Sequence, residues 1–162
     1  MINKDNMRNM ITPCLWFDGK AEDAVKLYTS IFEDSEIGDT IYYGNEGYEI
    51  HKQKEGTIQT IEFQINGQWF TALNGGPQFK FSEAISFQVF CDNQEEIDHY
   101  WEKLTKDGEE GPCGWLKDKF GISWQIVPSI LPRLLKDPER AERVTKVYLQ
   151  MKKFDIEKLL NA

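Results

Sequence analysis

The sequence predicts an α+β fold built from two βαβββ modules and closed by a helical extension, and three observations carry that reading. The order strand, amphipathic helix and three strands occurs twice along the 162 residues. The two passages also match in apolar residues at nearly constant spacing. Ala24, Leu27, Tyr28 and Ile31 precede Ile97, Tyr100, Trp101 and Leu104 by 73 positions, and Pro13, Leu15 and Phe17 precede Ile85, Phe87 and Val89 by 72. After residue 128 the pattern turns helical. The expectation is one domain over 1–162, with module one at about 10–76, module two at about 83–128 and a helical tail at 129–162.

Ile11 to Phe17 is extended and apolar, and Asp18-Gly19 ends it before a helix that starts near Lys20. On that helix Ala24, Tyr28 and Ile31, with Val25 and Phe32 beside them, form the packing face, while Lys20, Glu22, Asp23 and Lys26 face water. Ile37 to Tyr43 has strand composition, and a polar, mobile loop is expected from Gly44 through Gly56. Thr57 to Ile65 alternates, and Asn66-Gly67 is a two-residue hairpin signal leading into a strand over Gln68 to Asn74.

Gly75-Gly76-Pro77 separates the modules. Ala84 to Cys91 reads as the next strand, with Ile85, Phe87 and Val89 toward the helix and Ala84, Ser86 and Gln88 on the other face. Asn93 opens the second helix, whose Glu95-Glu96 suit the positive end of its dipole. Glu109-Glu110 reads as a solvated loop. Trp115 to Lys117 and Ile122 to Val127 read as strands around a turn at Asp118 to Gly121. In the tail, Val144, Val147, Tyr148 and Met151 form one stripe, and Asp155 is placed to cap Ile156 to Leu160.

Composition narrows the function classes. Five Trp, six Tyr and ten Phe with 40% hydrophobic residues describe a chain able to bury a core, not a disordered one. A formal charge of −8 argues against nucleic acid or an anionic membrane surface as partner. No apolar run approaches the roughly 20 residues that span a bilayer, and MINKDNMRNM lacks a signal peptide's apolar core, so the expected location is cytoplasmic. Cys14, Cys91 and Cys113 are odd in number and without CxxC spacing, which points to reduced thiols.

The sequence resembles the PhnB-like branch of the vicinal-oxygen-chelate superfamily, also described as a 3-demethylubiquinone-9 3-methyltransferase domain. The segments that carry the resemblance are PCLWFDGKAEDAVKLYTSIF at 13–32, NGGP at 74–77, EEGPCGWLKDKFGISWQIVP at 109–128 and RVTKVYLQMKKFDIEKLL at 143–160. It implies paired curved mixed sheets, each module curling into a cup, and usually a homodimer. In the superfamily's metalloenzymes the ligands stand on the first and last strands of each module and are His, Gln or Glu. The corresponding positions here are Thr12, Ala84, Thr71 and Gln125, the last two aligned through the turn glycines Gly67 and Gly121. Two threonines, an alanine and a glutamine are a poor divalent-metal set, so no metal is expected there.

The methyltransferase description implies a nucleotide-like cofactor, but the chain has no GxGxxG turn; GNEG at 44–47 and GPCG at 111–114 read as loops. No cofactor is expected. The ligand-binding candidates are Thr12, Trp16, Trp69, Thr71 and Gln125. By strand parity Trp16 and Trp69 point cupward and Trp124 toward the helix, while Trp115 is a further aromatic candidate. Gln125 orients a ligand or bonds its neighbours. His51 in the polar loop and His99 on the second helix read as surface residues, His51 becoming a base only if its loop covers the cup.

Three functions stay open: a metal-independent small-molecule binder, a metal-dependent lyase, dioxygenase or transferase, and a dimeric regulatory or interaction protein.

Overall fold

The structure, a computed structural model, describes residues 11–162. The MINKDNMRNM segment, from which the absence of a leader was read, and the start of module one at residue 10 lie outside the described residues. The chain divides into two compact units, 1–80 and 81–162. Each unit is a four-stranded mixed sheet with helices, and the fold class is α+β.

The first unit runs β1 (Cys14–Phe17), α1 (Ala21–Ile31), β2 (Ser35–Tyr42), α2 (Tyr48–His51), β3 (Ile58–Ile65) and β4 (Gln68–Asn74). Its sheet order is β1-β4-β3-β2, parallel between β1 and β4 and antiparallel elsewhere. Strand alternation sends Leu15, Phe17, Ile61, Phe63, Ile65, Phe70 and Ala72 to one face, where they meet Ala24, Val25, Tyr28 and Ile31 of α1. Tyr28 stacks on Phe63, which stacks on Phe70, with ring centroids 6.1 and 5.2 Å apart. The β3–β4 turn works because Asn66 and Gly67 both adopt positive φ, +47° and +73°, as a twisted two-residue hairpin requires.

No neighbouring side chain caps α1. Instead Asn74, at the end of β4, accepts the Ala21 N–H through Oδ1 at 2.9 Å and donates from Nδ2 to the Ile58 carbonyl at 3.1 Å. The polar segment expected as an open loop contains α2, and Tyr43 and Gly56–Thr57 close its base through two backbone hydrogen bonds.

The second unit runs β5 (Ser86–Cys91), α3 (Gln94–Thr105), β6 (Glu109–Glu110), β7 (Trp115–Lys117), β8 (Ser123–Pro128), α4 (Leu131–Lys136), α5 (Ala141–Tyr148) and α6 (Ile156–Leu160). The sheet order is β5-β8-β7-β6, with β5 and β8 parallel. Asn93 caps α3 by accepting the Glu96 N–H at 2.9 Å, and the Glu96 carboxylate accepts the Asp92 N–H at 2.8 Å. Ile97, Trp101 and Leu104 are buried at the positions that match Ala24, Tyr28 and Ile31 in the repeat.

Two expectations of strand position need correction. Ser82–Ile85 forms a turn, with the Ile85 N–H on the Ser82 carbonyl, so β5 begins at Ser86; Ala84 is outside the strand and Ile85 is 75% exposed, not core. Glu109-Glu110 is a short strand, not a loop, because β7 supplies its partners. The Glu110 carboxylate also accepts the Trp101 indole N–H at 3.1 Å and meets Lys152 at 3.4 Å.

The tail packs on its own unit. Cys113 and Gly114 donate their N–H groups to the Met151 and Lys152 carbonyls, and Phe154 lies over Gly114 so closely that a Cβ there would overlap it. Gln94 clamps the same segment from α3, donating to the Phe154 carbonyl and accepting the Ile156 N–H, each at 3.0 Å. Asp155 accepts the Lys158 N–H and starts α6, burying Leu159.

Candidate functional site

Each sheet has one face packed on helices and one open face, and the candidate side chains lie on the open faces. In the first unit Trp16 of β1 and Trp69 and Thr71 of β4 are half-buried and alternate with the core residues. Trp16 donates its indole N–H to the Gly76 carbonyl at 2.8 Å and meets the exposed Phe79 ring edge-on at 4.9 Å. Its ring presses on Gly75 so that any Cβ there would collide with it.

The NGGP motif thus has a local physical reason. Asn74 caps α1, Gly75 admits the indole, and Gly76, at φ +98°, turns the chain to present its carbonyl. Trp69 reaches across β3 to β2, where a Cβ on Gly38 would stand 2.9 Å from the ring. Thr71 pairs with Cys14 on one side and Glu62 on the other. Thr12 is half-buried ahead of β1, beside Pro13, whose carbonyl accepts the Thr71 N–H at 2.9 Å.

In the second unit Gln125 of β8 is held by its neighbours. Its Nε2 donates to Ser86 Oγ at 2.8 Å, and its Oε1 accepts from Gln88 Nε2 at 3.2 Å. Both ends of the amide are therefore in use, which meets the requirement that a part-buried amide be satisfied. Trp115 pairs with Gln125, and Lys117 pairs with Ser123. Lys117 Nζ forms an ion pair with Glu83, which raises the lysine's pKa and, through the same hydrogen bond first of all, lowers the carboxyl's.

Register revises one alignment. With β1 and β5 matched at 72, Cys14–Thr71 corresponds to Ser86–Ser123, and Gln125 corresponds to Leu73 rather than Thr71. The turn glycines misled because Asn66-Gly67 closes a two-residue hairpin, whereas the chain between β7 and β8 takes five residues, Asp118 to Ile122.

That longer turn is organised by a carboxylate that sequence reasoning missed. Asp118 is 3% exposed; its Oδ1 accepts the Phe120 and Ile122 N–H groups at 2.9 and 3.0 Å, and its Oδ2 accepts the Trp124 indole N–H at 2.9 Å. The available signal was Asp118 three residues before Gly121 and six before an inward Trp124.

His51 accepts the Gln53 N–H at Nδ1 and faces the Glu46 carbonyl with Nε2 at 3.1 Å, so Nε2 carries the proton and both nitrogens serve the loop. Its ring packs on Tyr43 at 4.5 Å. His99 is exposed on α3. The three cysteines are free; burial first of all pushes the Cys91 thiol up to about 12, and burial raises Cys14 as well.

Residues 9–127 match the family model described as 3-demethylubiquinone-9 3-methyltransferase. The PhnB protein from Bacillus cereus is 38% identical to the chain, which covers all of that protein with 75% of its own length, at a TM-score of 0.65. The chain belongs to this PhnB-like family. Fosfomycin resistance proteins share the fold. FosX from Mesorhizobium loti is 12% identical over 79% of this chain and 98% of its own, with a TM-score of 0.54. A FosX variant from Listeria monocytogenes, complexed with Mn(II) and 1S,2S-dihydroxypropylphosphonic acid, is 18% identical over 79% of this chain and 95% of its own, with a TM-score of 0.52. No curated protein matches the chain's sequence at a significant level.

Such an ion does not suit the residues of this PhnB-like chain. Thr12, Thr71 and Ala84 offer no imidazole or carboxylate, and the Gln125 oxygen already accepts from Gln88. Among the described residues no three His, Cys, Asp or Glu side chains gather as donors. The glycine clusters serve local structure: Gly47 leads a four-residue helix, and Gly111 and Gly114 hold the β7 approach and the tail. Among the described residues no helix is long and apolar enough to cross a membrane.

Proposed function

We propose that this PhnB-like protein is a metal-independent small-molecule binder that uses the open face of each sheet, with Thr12, Trp16, Trp69 and Thr71 as the binding residues of the first unit and Gln125 as that of the second. The observation that carries the reading is the contrast within those faces. The Gln125 amide, to which the resemblance gave a ligand role, is taken by Ser86 and Gln88, while the indoles of Trp16 and Trp69 stand outside the core, each set by a glycine that admits it. Large rings held on rigid strands make contact area at low entropic cost.

In this reading the protein is a cytoplasmic homodimer with no cofactor, and binds neither nucleic acid nor membrane. The charge of −8 and the three free thiols support the location and the excluded partners. Ile37, Ile41 and Tyr42, exposed on the edge strand β2, support self-association.

Melting in EDTA with ring-bearing apolar probes such as indole and naphthol tests it. The expected result is stabilisation that Trp16→Ala or Trp69→Ala removes; stabilisation by Mn, Ni or Zn ions alone, lost in Gln125→Ala, would replace the reading with metal-dependent chemistry.

A further inference from the structure

The second unit carries a cleft of about 370 Å³, lined among others by Glu83, Glu109, Glu110, Trp115, Lys117 and Ser123. Clefts of this size suit small ligands. At its base Ser123 is 2% exposed, and among the described residues its Oγ is the buried side-chain polar atom left without a hydrogen-bond partner. Native structures rarely leave a hydroxyl in that state, because a buried unpaired donor or acceptor keeps its full desolvation cost. A partner of matching chemistry is the economical explanation.

The strand order shows what kind of partner. β8 runs between β5 and β7, and Ser123 pairs with Ser86 on one side and Lys117 on the other. Lys117 extends to Glu83, three residues ahead of Ser86, at 2.5 Å. The ion pair therefore bridges the strand that bears Ser123. The Glu83 side chain is 63% exposed and the Lys117 side chain 31%, so the carboxylate is the partner free to swing into water while the ammonium stays near the sheet. Exposed pairs of this kind contribute little stability, so their exchange is easy. Trp115 and Pro112 give the cleft an apolar wall.

We propose that this cleft binds a small carboxylate with an apolar, ring-sized body: its carboxylate displaces Glu83 from Lys117 and accepts the Ser123 hydroxyl hydrogen bond, and Trp115 and Pro112 hold the body. The inference rests on the binding function above and adds the ligand's class, the residues that read its charge and the internal group it competes with. Glu83 acts as a stand-in for the ligand, so binding exchanges one carboxylate for another at Lys117 and exposes the Glu83 carboxylate, while Glu109 and Glu110 stay on the cleft wall.

Benzoate titrated calorimetrically into the full chain, beside the neutral benzyl alcohol, tests the proposal. The expected result is benzoate binding that Ser123→Ala weakens about fivefold, that Lys117→Gln abolishes, and that Glu83→Gln strengthens about fivefold by removing the competitor. In the ligand-free chain Ser123→Ala should raise the melting temperature, since it deletes an unpaired hydroxyl, which separates a binding role from a structural one. Benzoate affinity indifferent to Lys117→Gln and Ser123→Ala, or equal affinity for benzyl alcohol, would overturn it. If benzoate fails on both wild type and Glu83→Gln while indole still binds in a Trp16- or Trp69-dependent way, this inference falls and the binding function stands. If neither probe binds, both fall.

Discussion

Replacing Gly75 by alanine is the sharpest test of how the first unit presents its aromatic wall. The backbone at Gly75 is within ordinary range, so the substitution carries no conformational penalty, but the new Cβ collides with the Trp16 indole. The indole must tilt, straining the Gly76 hydrogen bond of 2.8 Å and the edge contact with Phe79. Overpacking costs about 1–3 kcal/mol, a lost hydrogen bond about 1 kcal/mol, and the reduced freedom of the unfolded chain returns roughly 0.4–1 kcal/mol. The net expectation is a loss of about 2 kcal/mol from these terms. On a Trp16→Ala background the collision is gone and the same substitution should be neutral or stabilising by about half a kcal/mol. A urea-denaturation cycle of the four proteins measures the coupling. Equal costs of Gly75→Ala on both backgrounds would refute the close indole–backbone approach, and with it the account of the NGGP motif.

Other outcomes follow from the same geometry. Asp118→Ala should cost about 3 kcal/mol in urea denaturation, because two backbone N–H groups and the Trp124 indole lose a charged acceptor; a loss below 1 kcal/mol would mean the turn is held otherwise. Gly114→Ala, at φ +80° and against Phe154, should free the tail, seen as faster amide exchange at 149–160 with little change in β3 and β4. Deleting 155–162 removes the buried Leu159 and should lower the melting temperature measurably.

Acid should loosen the same tail. The hydrogen bond from Lys153 above all, with that from Gln94, holds the Asp98 carboxyl below its ordinary value, and the Lys158 N–H does the same for Asp155. A folded-state pKa below the unfolded one gives stability that is present above about pH 4 and lost as pH falls through the lower, folded value. Tail exchange should therefore accelerate below about pH 4, and Asp98→Asn should flatten that dependence.

Much of the fold was legible in the chain. The helix faces through Ala24, Tyr28 and Ile31, and through Ile97, Trp101 and Leu104, are periodic and are buried as read. The Asn66-Gly67 hairpin and the Asn93 and Asp155 caps are local chemistry and also hold. What sequence could not show depends on partners far along the chain. β6 exists because β7 pairs with it, and Ile85 is exposed because Ser82–Ile85 turns before β5. On the open faces, parity found Trp16 and Trp69 and the family resemblance supplied Gln125, but neither says anything of contacts. That Gln125 is tied to Ser86 and Gln88, and that among the described residues Ser123 is the buried side chain left unpaired, needed the three-dimensional arrangement.

Elemental analysis of the purified protein, followed by melting with added Mn, Fe, Ni or Zn ions, tests the central claim most directly. The account predicts metal far below one per chain and no shift that depends on Gln125, since that amide already has its partners. Near-stoichiometric metal, or a large stabilisation that Gln125→Ala removes, would contradict it.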